Sequence, residues 1–192
     1  MNICLYGASS STIAKSYVYP TEELGAKIAA KGHTLVYGGG AAGLMGAAAR
    51  GAYSRGGKII GVVPSFLNVD GILYENCTEM LFTETMRERK QLMEEKSDAF
   101  VMTPGGLGTF DEFFEILTLK QLGRHSKPVA VFNINGYFDS IYEQLKNAVQ
   151  KQFMTPEALE LCLFTDNADK LLHYLEDGAA ANTPAKIFKN LK

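Results

Sequence analysis

The chain has 192 residues, of which 46% are hydrophobic and 21% charged, and its formal net charge is −2. These values describe a soluble globular chain long enough for one proper core. No basic excess marks it for a nucleic-acid backbone, and no apolar run approaches the roughly 20 residues that span a bilayer. Cys4, Cys77 and Cys162 are odd in number and far apart, which argues against a disulfide framework or a structural zinc site and fits reduced thiols. The opening MNICLYG has no basic stretch before an apolar run, so no signal peptide is read there and a cytoplasmic protein is expected.

Short apolar strands alternate with helical patterns along the chain. Asn2–Tyr6 reads as a strand and Tyr19–Lys31 as a helix, with Pro20 near its start and Gly32 after its end. Thr34–Tyr37 is a second strand, Gly43–Arg55 an Ala- and Gly-rich helix, and Lys58–Val63 a third strand stopped by Pro64. Glu79–Phe82 fits a strand, Thr85–Glu95 a helix and Ala99–Met102 a buried strand. Pro104–Gly108 is a loop before an apolar helix, Thr109–Leu122. Val129–Asn133 is a strand and Tyr137–Lys151 a helix, with helical segments around Glu157–Leu161 and Asn167–Glu176. This alternation predicts one α/β domain over residues 1–178, a mostly parallel sheet with helices on both faces, and a polar tail over 179–192.

Three Gly- and Ser-rich loops each follow a strand: Gly7–Ser11, Gly38–Gly40 leading to Gly43–Gly46, and Pro104–Thr109. In a doubly wound sheet such loops line one crevice, where glycine lets the backbone approach a ligand and helix-start amides favour an anion. The spacing is neither G-x-G-x-x-G nor G-x-x-x-x-G-K-[ST], which argues against a dinucleotide enzyme or an ATPase. Thr109, Glu112, Glu115 and Thr118 recur every three residues, roughly along one helix face, with Thr109 placed to cap the helix. Arg89 and Lys90 suit phosphate or base contacts, although alone such a pair more often marks a solvated face, as a lone Glu112 more often marks a surface salt bridge. The histidines His33, His125 and His173 are scattered, so neither a catalytic triad nor a metal cluster is indicated.

Met86-Arg87-Glu88-Arg89-Lys90 together with Pro104-Gly105-Gly106-Leu107-Gly108-Thr109-Phe110-Asp111-Glu112 resembles the paired M-x-x-R-K and P-G-G-x-G-T-x-x-E motifs of the LOG (Lonely Guy) family. Its members are cytokinin riboside 5′-monophosphate phosphoribohydrolases, many once mislabelled lysine decarboxylases. Tyr37–Gly46 and Cys4–Ser11 resemble its other glycine-rich loops, so the likeness runs from about residue 2 to about residue 150. It implies a Rossmann-like three-layer sandwich, usually a homodimer, working on a small nucleotide with no metal or redox cofactor. It implies Arg89 and Glu112 as the catalytic pair. Substrate contacts would come from Glu79, Met86, Lys90, Gly105, Gly106, Gly108, Thr109 and Thr118, joined by Ser9, Gly39 and Gly40. Met86-Arg87 stands where plant members commonly carry Met-His, and Gly7-Ala8-Ser9 varies the usual opening; both bear on base preference. The expected reaction is cleavage of the base–ribose bond of a nucleoside 5′-monophosphate, cytokinin nucleotide or AMP. Glu112 would stabilise the oxocarbenium-like state and Arg89 the leaving base. The alternative is a nucleotide or cofactor carrier that keeps the pocket without hydrolysis.

Overall fold

A computed structural model describes residues 1–181. Seven strands form one sheet: β1 (Asn2–Tyr6), β2 (Thr34–Tyr37), β3 (Ile59–Pro64), β4 (Glu79–Thr83), β5 (Ala99–Met102), β6 (Val129–Phe132) and β7 (Leu163–Thr165). Every pairing is parallel and the order is β4-β3-β2-β1-β5-β6-β7. The central strands are apolar throughout because helices cover both faces. Alternation along β1 sends Ile3 and Leu5 toward α1 (Lys15–Ala30), α2 (Gly43–Ser54) and α6 (Ala168–Ala181). Cys4 and Tyr6 face the opposite layer, with Met93 of α3 (Met86–Lys96) and Phe113, Ile116 and Leu117 of α4 (Leu107–Gln121). A further helix, α5 (Asp139–Gln150), flanks that layer, with its Ile141 packed there. The strand order reverses between β1 and β5, so the loops after these neighbours diverge and open a crevice at the carboxyl edge.

Most boundaries shift by one or two residues from expectation, and three features depart further. Helix α1 begins at Lys15, placing Pro20 inside it. Proline supplies no N–H to the carbonyl four residues back; that carbonyl, on Ser16, instead accepts from Asn135 Nδ2 at 3.4 Å. Strand β7 has only three residues, too short for a period, and is held by pairing with β6. Helix α6 runs through Gly178 to Ala181, so the expected domain boundary falls within it, while residues 182–192 of the expected tail lie outside the described residues.

Helices α1 and α2 cross at backbone contact. A Cβ on Gly25 would lie 2.1 Å from the Ala48 carbonyl oxygen, and one on Gly51 would lie 1.9 Å from that of Glu22. Intrinsic propensity favours Gly25→Ala by about 1 kcal/mol, but the added methyl must push the two backbones apart. The variant should lose about 1–3 kcal/mol of stability, seen as a lower urea midpoint; an unchanged or raised midpoint would contradict this packing.

Candidate active site

The crevice holds a cleft of about 390 Å³, lined by Ser9, Met45, Arg89, Gly106, Gly108 and Glu112 among others. Helix α3 is positioned by a capping box. Thr85 Oγ1 accepts from the Glu88 amide at 3.1 Å, and Glu88 Oε2 accepts from the Thr85 amide at 3.4 Å. This fixes the first turn and sends Arg89 inward. Arg89 Nε donates to the Val62 carbonyl at the end of β3, 3.0 Å away, and Nη1 donates to Glu112 Oε1 at 2.5 Å. Both side chains are buried, at 8% and 9% exposure. Burial raises the Glu112 carboxyl above the ordinary carboxylate range, while the Arg89 charge and hydrogen bond pull against that rise. Beneath the pair, burial pushes the Cys4 thiol up to about 12 and raises the Tyr6 hydroxyl.

The second essential element is the start of α4. Gly106 is its N-cap and offers no side chain. The first intrahelical bond recruited from the cap runs from Phe110 N to Gly106 O at 3.0 Å. The amides of Leu107, Gly108 and Thr109 precede it and have no partner within the helix, and all three residues line the cleft. Thr109 is therefore not a cap. It lies buried beneath Gly105, where a Cβ would sit 2.1 Å from Thr109 Oγ1.

Gly7, Ala8, Ser9 and Ser10 of the first loop and Met45 after the second also line the cleft, as expected, but the helix start after the second loop is put to another use. The Leu44 and Met45 amides at the start of α2 both donate to Ala8 O, at 2.8 and 3.2 Å. That helix start is thus already occupied by a peptide carbonyl. Ala8 N donates in turn to Pro104 O at 3.1 Å, tying the loops after β1 and β5 together. Gly43 permits this meeting: its φ is +61°, and a Cβ there would sit 2.4 Å from Ala8 O. Gly39 and Gly40 turn toward the 72–74 segment. Tyr74 N donates to Gly39 O at 2.9 Å, and Gly40 bridges Leu73.

Of the expected contact residues, Ser9, Gly106, Gly108 and Thr109 line the cleft with Arg89 and Glu112. Gly105 faces an adjoining apolar cavity of about 350 Å³, and its carbonyl accepts from Tyr137 OH at 2.8 Å. Glu79 opens β4 opposite Ile60, at the amino edge of the sheet and away from the crevice. Met86 is the exposed first residue of α3 and does not line the cleft. Lys90 is held by Asp111 at 3.0 Å and Glu115 at 2.5 Å, a clamp between α3 and α4 beside the buried pair. Three residues of helix fall about 60° short of a full turn, so a three-residue spacing drifts around the axis. Thr118 has swung onto an outer groove with Phe110, Phe114 and Leu119. Sequence reasoning placed Ser10 and Met45 in crevice loops without naming them as contacts, and it missed the Val62 carbonyl. The carbonyl leaves no trace in side-chain identity. No group of three metal-ligating side chains occurs among the described residues, and no histidine lines the cleft.

A family model described as "Possible lysine decarboxylase" matches residues 45–175. A relative from Oryza sativa subsp. japonica, a probable cytokinin riboside 5′-monophosphate phosphoribohydrolase, is 38% identical over 174 residues, covering 91% of this chain and 70% of its own. A cytokinin riboside 5′-monophosphate phosphoribohydrolase of Mycobacterium tuberculosis is 39% identical over 170 residues, 88% of this chain and 90% of that one. Among solved structures, a molybdenum cofactor binding protein from Rippkaea orientalis superposes with a TM-score of 0.71 at 20% identity, over 92% of this chain and 95% of the other. At that identity it establishes the fold alone.

Removing Arg89 would leave a buried carboxylate uncompensated. Arg89→Ala should lower stability by about 3–5 kcal/mol at neutral pH, and the loss should depend on pH. Without the guanidinium the native Glu112 carboxyl titrates still further above its unfolded value. Between the two values the native state holds more protons than the unfolded one, so stability falls as pH rises through that window. Denaturant midpoints of the variant should approach those of the parent in acid and diverge toward neutrality; a pH-independent gap would contradict this.

Proposed function

The chain belongs to the LOG family of cytokinin riboside 5′-monophosphate phosphoribohydrolases, and from that premise we propose that it hydrolyses the N-glycosidic bond of nucleoside 5′-monophosphates. The substrates are cytokinin riboside 5′-monophosphate, AMP or both, and the products are free base and ribose 5-phosphate. The observation that carries the reading is the buried Arg89–Glu112 pair beside the unpartnered amides of α4. The 5′-phosphate sits on the Leu107, Gly108 and Thr109 amides, where the helix dipole favours an anion. Held there, the nucleotide presents its ribose to Glu112. As the bond breaks, its electron pair leaves with the base nitrogen and positive charge spreads over the ribose ring. The Glu112 carboxylate stabilises that charge. It accepts a proton from the water whose oxygen bonds to the glycosyl carbon, and that proton then passes to the departing base, which restores the carboxylate. Arg89 keeps Glu112 ionised against burial and favours the negative charge developing on the base.

A Schiff-base decarboxylase would need a lysine in the cleft. The lining residues include none, and Lys90 is engaged by two carboxylates. We further propose a cytoplasmic homodimer. Support for the dimer comes from the exposed apolar side chains of Leu107, Phe114 and Leu122 on and after α4, beside the outer groove. No helix of the described residues is long and apolar enough to cross a membrane.

Incubation with a panel of nucleosides and their 5′-monophosphates should release base from the monophosphates only, read by chromatography. Glu112→Gln should lower kcat by about 10²–10⁴-fold. The acid limb of the parent's pH profile should rise as Glu112 loses its proton, above the ordinary carboxylate range, and be absent from the variant. Equal turnover of nucleosides would remove the role of the phosphate. Binding without any release of base would leave a carrier.

A further inference from the structure

Gly38, the first residue after β2, packs against the guanidinium of Arg89. A Cβ on Gly38 would lie 2.2 Å from Arg89 Nη2 and 3.5 Å from Arg89 Cζ. Its other near neighbour is the Met45 sulfur at 2.9 Å, the flexible part of a side chain that can turn aside. Gly38 is not among the residues with positive φ, whereas its neighbour Gly39 has φ +76°. Backbone conformation therefore favours glycine at 39, whereas at 38 no left-handed φ calls for one. What Gly38 supplies is the space where its methyl would be.

That space lies on the third edge of a rigid plane. Nε is bonded to Val62 O, Nη1 to Glu112, and Nη2 abuts Gly38. A guanidinium cannot yield at one nitrogen without moving the other two. We propose that Gly38 is a positioning residue for the hydrolysis: its missing side chain seats Arg89 in the one orientation that meets Val62 and Glu112 together. The inference rests on the hydrolase reading for its consequence in turnover, but the seating itself can be tested without turnover.

The test uses the full chain carrying Gly38→Ala, Arg89→Lys or both. Arg89→Lys lacks the planar group and so removes the clash. In the parent background Gly38→Ala should lower kcat about 10- to 100-fold and leave KM within about threefold, because the phosphate contacts of α4 are untouched. Added to Arg89→Lys, it should cost no more than about twofold, the non-additivity expected of residues acting through one contact. In ¹⁵N-labelled protein the Arg89 Nε–H signal, assigned by its loss in Arg89→Lys, should shift in Gly38→Ala. If Gly38→Ala fails to fold, the double variant should restore the fold. Unchanged turnover, an unmoved Nε–H signal, an equal loss in both backgrounds, or misfolding that Arg89→Lys does not rescue would each overturn the assignment. A parent that releases no base while the signal still moves would sink the hydrolase reading and leave the seating of Arg89 supported.

Discussion

A carboxylate and a guanidinium buried against each other set the terms for the rest of the site. Neither charge is tolerable alone at such depth, and the attraction offsets desolvation only when the remaining polar atoms are also satisfied. The chain meets this demand at Arg89 Nε with a backbone carbonyl rather than a further side chain. The Val62 carbonyl at the end of β3 takes Nε, and the capped first turn of α3 aims the arginine. Lys90, clamped between Asp111 and Glu115, fastens the same two helices one residue along from the pair. Two helices from different parts of the chain are thus locked in register where Arg89 meets Glu112.

The glycines divide into groups with different physical reasons. Gly25 and Gly51 let two helix backbones touch, which draws α1 and α2 together over β1 and β2. Gly43 allows the start of α2 to receive the Ala8 carbonyl, and Gly105 makes room for Thr109. The start of α4, by contrast, keeps the Leu107, Gly108 and Thr109 amides without an intrahelical partner at the cleft. A glycine-rich stretch before a helix is therefore an ambiguous sign of an anion site, because a neighbouring carbonyl can fill it first.

The layered α/β architecture was legible because its strands are apolar, short and separated by helical patterns. The outline of six of the seven strands came from that alternation alone. β7 escaped because three residues cannot carry a period, and the early start of α1 escaped because proline usually marks a first turn. The central pair of the site, Arg89 and Glu112, was legible from motif resemblance, while composition and spacing left each open to a surface role. Glu79 was named through the family resemblance, and it occupies the amino end of β4, opposite the sheet edge that carries the crevice. Thr118, named through the resemblance, lies on the outer groove because steps of three drift around a helix instead of following one face. The Val62 carbonyl was hidden because backbone groups carry no signature in sequence.

Ala8 accepts two amides from the start of α2 and donates its own to Pro104. One small residue thereby joins three loops that the sequence sets far apart, using only peptide groups that every residue type except proline supplies. These bonds are made within the chain itself and tie the loops around the cleft to one another. Loops tied in this way in advance lower the ordering cost that a binding molecule must meet.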